Sequence, residues 1–567
     1  MHSKAPPDPA LARFFEHYYR RRPVNATFTG VHQHDAQLPD WSVAGLEELT
    51  DEMAAVREDV AAELMNRARE QPTAGDDPAA MDHALAVAFL DVQIAEIQSE
   101  HFQRRNPALY TGEALFSVIS LMLRDGAPLE DRVAAIEARL GGIATFLQGA
   151  RGTLGGRPVP RSWARRAVAE CDAAVHVFAE GLDTWGVEQG LNDQRAREVA
   201  KAAKDARTAV LDFRQWIEAR PPALPQASGC NPEFYDLLLM RGHLESRPRQ
   251  DLLAEAREAF EAAEAQLRDM ALAQDPGGWP AVADRLVEHH PSVDGYLDAF
   301  QQTWDACREV ALAHELVTWP DFPIRYVPIP KWARRAAPEL YFLYYRSPAP
   351  EDIPSVVEYL VPPVVGAPED LEAKLRATND HVIKLNHVVH HGAIGHHIQN
   401  FHAYRAASRV GRVAAVDCAS RIGMFCGGSM AEGWACYATD LMEEVGFLTD
   451  LERVAQQHSR LRQLGRAIVD IELHQHTIDE ATAQQFYEER VSMTAATAAK
   501  EVARTSMFPG TGIMYWLGTQ GIHDLRASRA KAEGSAFSLR AFHDELLSFG
   551  SIPVALVAQL MSRAASV

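Results

Sequence analysis

Apolar residues recur every three or four positions through most of the first 315 residues, on a background rich in Ala, Leu, Glu and Arg. In DLLAEAREAFEAAEAQLRDM, Leu252, Ala256, Phe260, Ala263, Leu267 and Met270 fall on one side of a 3.6-residue helix. That spacing predicts an amphipathic helix with the stripe turned inward, and its repetition predicts a scaffold of long antiparallel helices. RPPALPQASGCNP (220–232) and DPGGWP (275–280) mark helix ends, because proline removes a backbone donor and glycine favours turns. Between Trp319 and Pro363 the texture changes. DFPIRYVPIP and ELYFLYYRSP are short, β-branched or aromatic, and bounded by prolines, which predicts two or more strands of a small sheet. Helical periodicity then resumes to the C-terminus. The expected fold is mainly α, with a helical N-terminal part (1–318) and a second part (319–567) holding the small sheet and the C-terminal helices.

Composition narrows the function classes. At 567 residues with 47% hydrophobic and 23% charged residues, the chain can bury a large core. Its formal net charge of −21, with basic residues scattered, would repel a phosphate backbone, so no nucleic-acid partner is expected. The start, MHSKAPPDPALARFFEHYYRRRP, lacks a basic segment followed by an apolar one, and no apolar run is long enough to span a bilayer. A cytoplasmic protein without a membrane partner is expected. Six cysteines (Cys171, Cys230, Cys307, Cys418, Cys426, Cys436) without a CxxC predict reduced, mostly buried thiols. GGSMA (427–431) misses the last glycine of a nucleophile elbow, and no P-loop or GxGxxG occurs. RRR at 20–22 and HH at 289–290 read as solvated surface.

Histidine is the anomaly. His381, His387, His390, His391, His396, His397 and His402 lie within 22 residues, where composition predicts about one. Neutral imidazole is a common metal ligand, and two on one face plus a third group complete a three-ligand site. On a straight helix His387 and His391 share a face, whereas His390 and His397 stand about 10 Å apart along the axis. His390 and His396 face different ways unless the backbone kinks, for which Gly392 and Gly395 are placed.

HHGAIGHHIQ (390–399), MAEGWACYATDLMEEVGF (430–447), RAIVDIELH (466–474), YWLGTQGIHDLR (515–526) and FHDELLSFGSIP (542–553) resemble, in that order, the bacterial family catalogued as domain of unknown function 885. The resemblance covers essentially the whole chain. That family is grouped with zinc metallopeptidases of the gluzincin type and carries H-E-x-x-P-G-H-H-x-Q, then E-G-W-A-x-Y. The resemblance implies a large helical gluzincin-like fold with a deep central cleft, one wall being the helical N-terminal part. It also implies a divalent metal, zinc first, with iron or manganese as alternatives, held by His390, His396 and Glu432. His474 and Tyr515 match family positions and would donate hydrogen bonds to an oxyanion near the metal. His397 and Arg526 are candidates for substrate binding, the guanidinium by pairing with a carboxylate. Trp434 and Tyr437 are expected in the core around the site. The metal helix is expected to begin near Leu385, with the Glu432 helix beside it.

The chain departs from the family where it matters most for chemistry. His391 stands where the family has the Glu of H-E, and Ile394 where it has Pro. In zinc hydrolases that Glu relays the proton of metal-bound water to the leaving amine. Imidazole can serve as a base near neutral pH, so His391 is a candidate general base or an extra ligand. Three functions follow: a metal-dependent hydrolase of an amide or related bond in a small or peptide-like substrate; a non-hydrolytic metal enzyme (non-haem iron oxygenase, lyase or decarboxylase) on the same two-His-one-carboxylate site; and an inactive relative. The oligomeric state is left open.

Overall fold

The structure is a computed structural model describing residues 8–70, 78–123, 126–222, 228–339, 349–414 and 426–564. It is mainly α, with a single two-stranded sheet among the described residues. The helix Arg249–Gln274 buries Leu252, Ala256, Phe260, Ala263 and Leu267, as the spacing predicts, and ends its stripe on Ala271 with Met270 only partly buried. That stripe packs on the long helix Asp450–His474. A capping box starts the latter: the Glu452 N–H donates to Thr449 Oγ1 and the Thr449 N–H to Glu452 Oε2. Glu452 also pairs with Lys384 at 2.7 Å, tying this helix to the histidine segment.

In the sheet, β1 (Ile324–Pro328) runs parallel to β2 (Val357–Val361), with Ile324 opposite Val357 and Tyr326 opposite Tyr359. The first strand lies where DFPIRYVPIP predicts it. ELYFLYYRSP, from Leu340 to Pro348, lies outside the described residues, and the second strand comes instead from VEYLV further along. Parallel pairing requires a crossover rather than a tight hairpin, and residues 329–356 supply its length. Tyr326 and Tyr359 pack 5.1 Å apart on the buried face, while Arg325 and Glu358 pair on the exposed one.

Apolar clusters run across residue 318: the first joins Phe14, Phe15 and Phe89 to Trp434, Leu546 and Met561. Arg22, expected as solvated surface, is instead buried, donating to Gln93 at 2.5 Å over the ring of Tyr18. The helices Gly428–Glu444 and Ile513–Glu533 cross very closely. A Cβ at Gly518 would lie 1.9 Å from the Ser429 carbonyl oxygen, so glycine is what lets the two backbones touch. No helix among the described residues is long and apolar enough to cross a membrane.

Candidate metal centre

The histidine segment is not the α-helix that the sequence suggests. It starts at Asp380, capped by Asn379, rather than near Leu385, and winds as a π-helix from Ile383 to Gly392. The wider i to i+5 winding persists to its end, where the Ala393 N–H donates to Val388 O at 2.7 Å. His391 extends the same pattern with its side chain, Nδ1–H donating to Asn386 O at 2.6 Å. The chain then breaks through Ala393 and Gly395 before the α-helix His396–Ala403. Two distant indoles hold the break open: Trp434 donates to Ile394 O (2.9 Å) and Gly395 O (3.2 Å), and Trp304 to Gly392 O (2.8 Å). Gly395 has no alternative there, since a Cβ would sit 1.9 Å from the His390 carbonyl oxygen.

This break folds His396 back on His390, leaving their rings 4.9 Å apart despite six positions of separation. Glu432, from the adjacent helix Gly428–Glu444, brings Oε2 to 3.3 Å from His390 Nε2 and 3.7 Å from His396 Nε2. Ligand atoms about 2.1 Å from a tetrahedral ion stand about 3.4 Å apart, so both separations suit a shared cation. Glu432 Oε2 is buried without a hydrogen bond, an orphan that a cation would satisfy. His391 joins the group, with one ligand atom each from His390, His391 and His396 within 4.8 Å of one another.

Protonation states match the geometry. Burial pushes the His390 and His391 imidazoles below their ordinary values, so both are neutral near pH 7. Burial alone would raise the Glu432 carboxyl, but the adjoining His390 and His396 imidazoles hold it well below the usual range. Neutral imidazoles around an ionised carboxylate are what a divalent cation requires. Side-chain exposures of 15%, 13% and 16% for His390, His396 and Glu432 leave the cluster accessible to a small molecule.

The other expected residues divide. Tyr515 lies close enough to Glu432 for that charge to add to burial in raising its hydroxyl pKa, and it accepts a hydrogen bond from Arg504 at 3.1 Å. His474 is elsewhere. The Cys230 N–H donates to its Nδ1 and its Nε2–H to Thr505 O, both at 3.0 Å, so neither nitrogen is left for an oxyanion. His397 is fully buried, its Nε2–H donating to Phe322 O at 2.6 Å and its ring stacked on Phe322, because a step of one residue turns it about 100° from His396. Arg526 already grips Glu444 with two bonds (3.0 and 2.8 Å), so its guanidinium serves an ion pair between helices. His387, a possible partner of His391 on an ideal helix, bonds Tyr359 at 2.6 Å and braces the π-helix on the sheet. Trp434 and Tyr437 are core residues as expected. Sequence reasoning passed over Tyr359 and Trp304; only their aromatic character within an apolar segment signalled them.

Together the fold and the cluster define a mainly α protein built around three imidazoles and one carboxylate. The chain belongs to the family described as "Bacterial protein of unknown function (DUF885)", which matches residues 23–561. Among solved structures, it is similar to a "putative lipoprotein of unknown function from Shewanella oneidensis" (21% identity, TM-score 0.75) and to a "putative lipoprotein from Colwellia psychrerythraea" (16% identity, TM-score 0.76). Each comparison covers 98% of both chains and shows a shared fold. No curated protein matches the sequence.

Proposed function

We propose that the protein is a metal-dependent hydrolase acting on an amide or related bond of a small or peptide-like substrate. The observation that carries this reading is the convergence of His390 and His396 on the orphaned Glu432 Oε2. A divalent metal held there, zinc first, would polarise a carbonyl and acidify a water. His391 is the residue in place to receive a proton: its Nδ1–H is held by Asn386 O, which leaves the ring's lone pair on Nε2. Burial keeps it neutral and therefore able to act as a base. Tyr515 keeps its phenolic proton, because burial raises its pKa, and its hydroxyl can donate to developing negative charge. On this reading His391 takes the part that the resemblance gives to the family's Glu, in a gluzincin-like arrangement.

A second reading is favoured by the position of His391 within ligand distance of the other two imidazoles. If it binds metal it cannot move protons, and a site of three imidazoles and one carboxylate suits iron or manganese and non-hydrolytic chemistry. The test compares wild type with His391→Glu and His391→Ala, each loaded with zinc, against a panel of N-acyl amino acids and dipeptides. Activity kept or raised in His391→Glu and lost in His391→Ala supports the hydrolase. Complete loss in His391→Glu with zinc still bound sinks the base assignment. A cytoplasmic location belongs to the same reading, supported by the buried free thiols Cys171, Cys230, Cys307 and Cys436. The lipoprotein titles of the two similar structures favour the cell envelope instead, and fractionation of the native protein decides between them.

A further inference from the structure

The long helix Asp450–His474 carries a polar residue at every fourth position of one row: His458, Arg462, Arg466, Asp470 and His474. Four of the five have evident partners. His458 Nε2–H donates to Val491 O at 2.7 Å, and Arg466 holds Glu501 with two bonds at 2.7 and 2.6 Å. Asp470 accepts from the amides of Gly510, Gly512 and Ile513, and His474 is engaged as described. Arg462 is the exception. Its Nε is shielded from solvent and has no hydrogen-bond partner, and no ion pair is found for the guanidinium among the described residues.

One turn further along the row the Arg466 guanidinium lies over the Tyr515 ring at 4.8 Å, and Tyr515 packs against Cys436, one helical turn from Glu432, so the row that carries Arg462 faces the metal cluster. The charge of Arg462 reaches His390, and it feels the charges of Arg466 and Glu501. The neighbouring carboxylates are committed, Glu501 to Arg466 and Glu432 to the imidazoles. A guanidinium whose Nε–H is shielded and unmatched carries an unmet donor that an accompanying anion would satisfy. The residue as a whole keeps partial exposure, as the cluster does, so an anion can arrive from solvent. One unmatched positive charge suits a monoanionic carboxylate better than a phosphate dianion, and the planar fork matches a carboxylate bidentately.

We propose that Arg462 binds a free carboxylate of the substrate beside the metal cluster, which makes the substrate an N-acyl amino acid or short peptide cleaved next to that carboxylate. This rests on the hydrolase reading and deepens it. In the reaction the amide carbon gains the water oxygen and loses the amine nitrogen, so the acyl amino acid and water give a carboxylate and a free amino acid. Arg462 anchors the amino-acid half, which leaves as the amine product.

The probes are succinic acid monohydroxamate, whose hydroxamate seeks the metal and whose far end is a carboxylate, and the same molecule with a carboxamide at that end. Titration calorimetry on the zinc-loaded full chain is expected to show the carboxylate probe binding at least ten-fold more tightly. Arg462→Gln should lose that preference while keeping wild-type zinc content and wild-type affinity for the carboxamide probe, and Arg462→Lys should retain part of it. Because the removed charge is unmatched, Arg462→Gln should melt no lower than wild type. Equal binding of both probes to wild type, a preference that survives in Arg462→Gln, or a lower melting temperature in that variant would overturn the assignment while leaving the metal reading standing. If neither probe binds zinc-loaded wild type, the metal reading fails and this inference with it.

Discussion

Gly395→Ala tests how the site is assembled. A Cβ at that position would lie 1.9 Å from the His390 carbonyl oxygen, 2.5 Å from its carbon and 2.7 Å from the Val389 oxygen. All three are backbone atoms, so relief requires moving the main chain by about 1 Å rather than rotating a side chain. Overpacking of this kind costs about 1–3 kcal/mol. Shifting the break also weakens the bonds from Trp434 to Ile394 and Gly395, worth about 1 kcal/mol each. A loss of about 3–5 kcal/mol follows, far above an ordinary glycine-to-alanine change. Gly141→Ala and Gly152→Ala are controls: both lie inside the helix Leu129–Leu154 with nothing within 4 Å of a new Cβ, and should gain about 0.5–1 kcal/mol. Urea unfolding in the presence of chelator measures the protein without metal linkage, and zinc stoichiometry of the folded variant then reads the site. Gly395→Ala should shift the midpoint down and lose zinc, because His396 no longer returns to His390. An unfolding free energy within about 1 kcal/mol of wild type, with full zinc binding, would refute the assembly described above.

Four further outcomes follow from particular contacts. Tyr359→Phe removes the hydroxyl that meets His387 in the interior and should cost about 1–3 kcal/mol in urea unfolding; no measurable cost would mean that the sheet does not brace the π-helix. Burial lowers His243, His458 and His543 to about 4 and His474 to about 3. The unfolded chain therefore takes up protons first as pH falls, and stability should decline from about pH 6.5 toward pH 4, whereas a flat urea midpoint across that window contradicts their burial. Glu501 extends the decline. Burial would raise it, but Arg466 holds it at about 2, so its contribution is present above about pH 4.5 and lost as pH falls toward 2, a slope that Glu501→Gln should remove. Arg526→Ala should change stability by at most about 1 kcal/mol and leave zinc binding intact, since its pair with Glu444 is partly exposed; loss of zinc would return Arg526 to the site.

The helices were legible because their signal is local. Leu252, Ala256, Phe260, Ala263 and Leu267 repeat within a few turns, and burial follows from the period alone. The strand at Ile324–Pro328 was legible for the same reason. The π-winding was not, because what sustains the break after it comes from Trp304 and Trp434, 88 and 39 or 40 residues from the carbonyls they bind. Glycine spacing revealed that a kink was affordable but not which winding led into it. The family motif picked out His390, His396 and Glu432, and the chain brings all three together. A matched position does not say which way a ring faces, and so His397 and His474 were expected in a site from which their backbone bonds turn them. Arg462 escaped notice because an arginine in an amphipathic helix reads as a solvated residue; its environment depends on Glu501 being already taken by Arg466.

Metal content of the purified, untagged protein, by elemental mass spectrometry on wild type, His390→Ala and Glu432→Ala, bears most directly on the proposed function. About one divalent metal per chain in wild type, lost in both variants, is the predicted result, and zinc would direct the search to amide substrates. Metal retained in both variants, or none taken up by wild type from a zinc-supplemented buffer, would contradict the proposal that these imidazoles and this carboxylate form a metal centre.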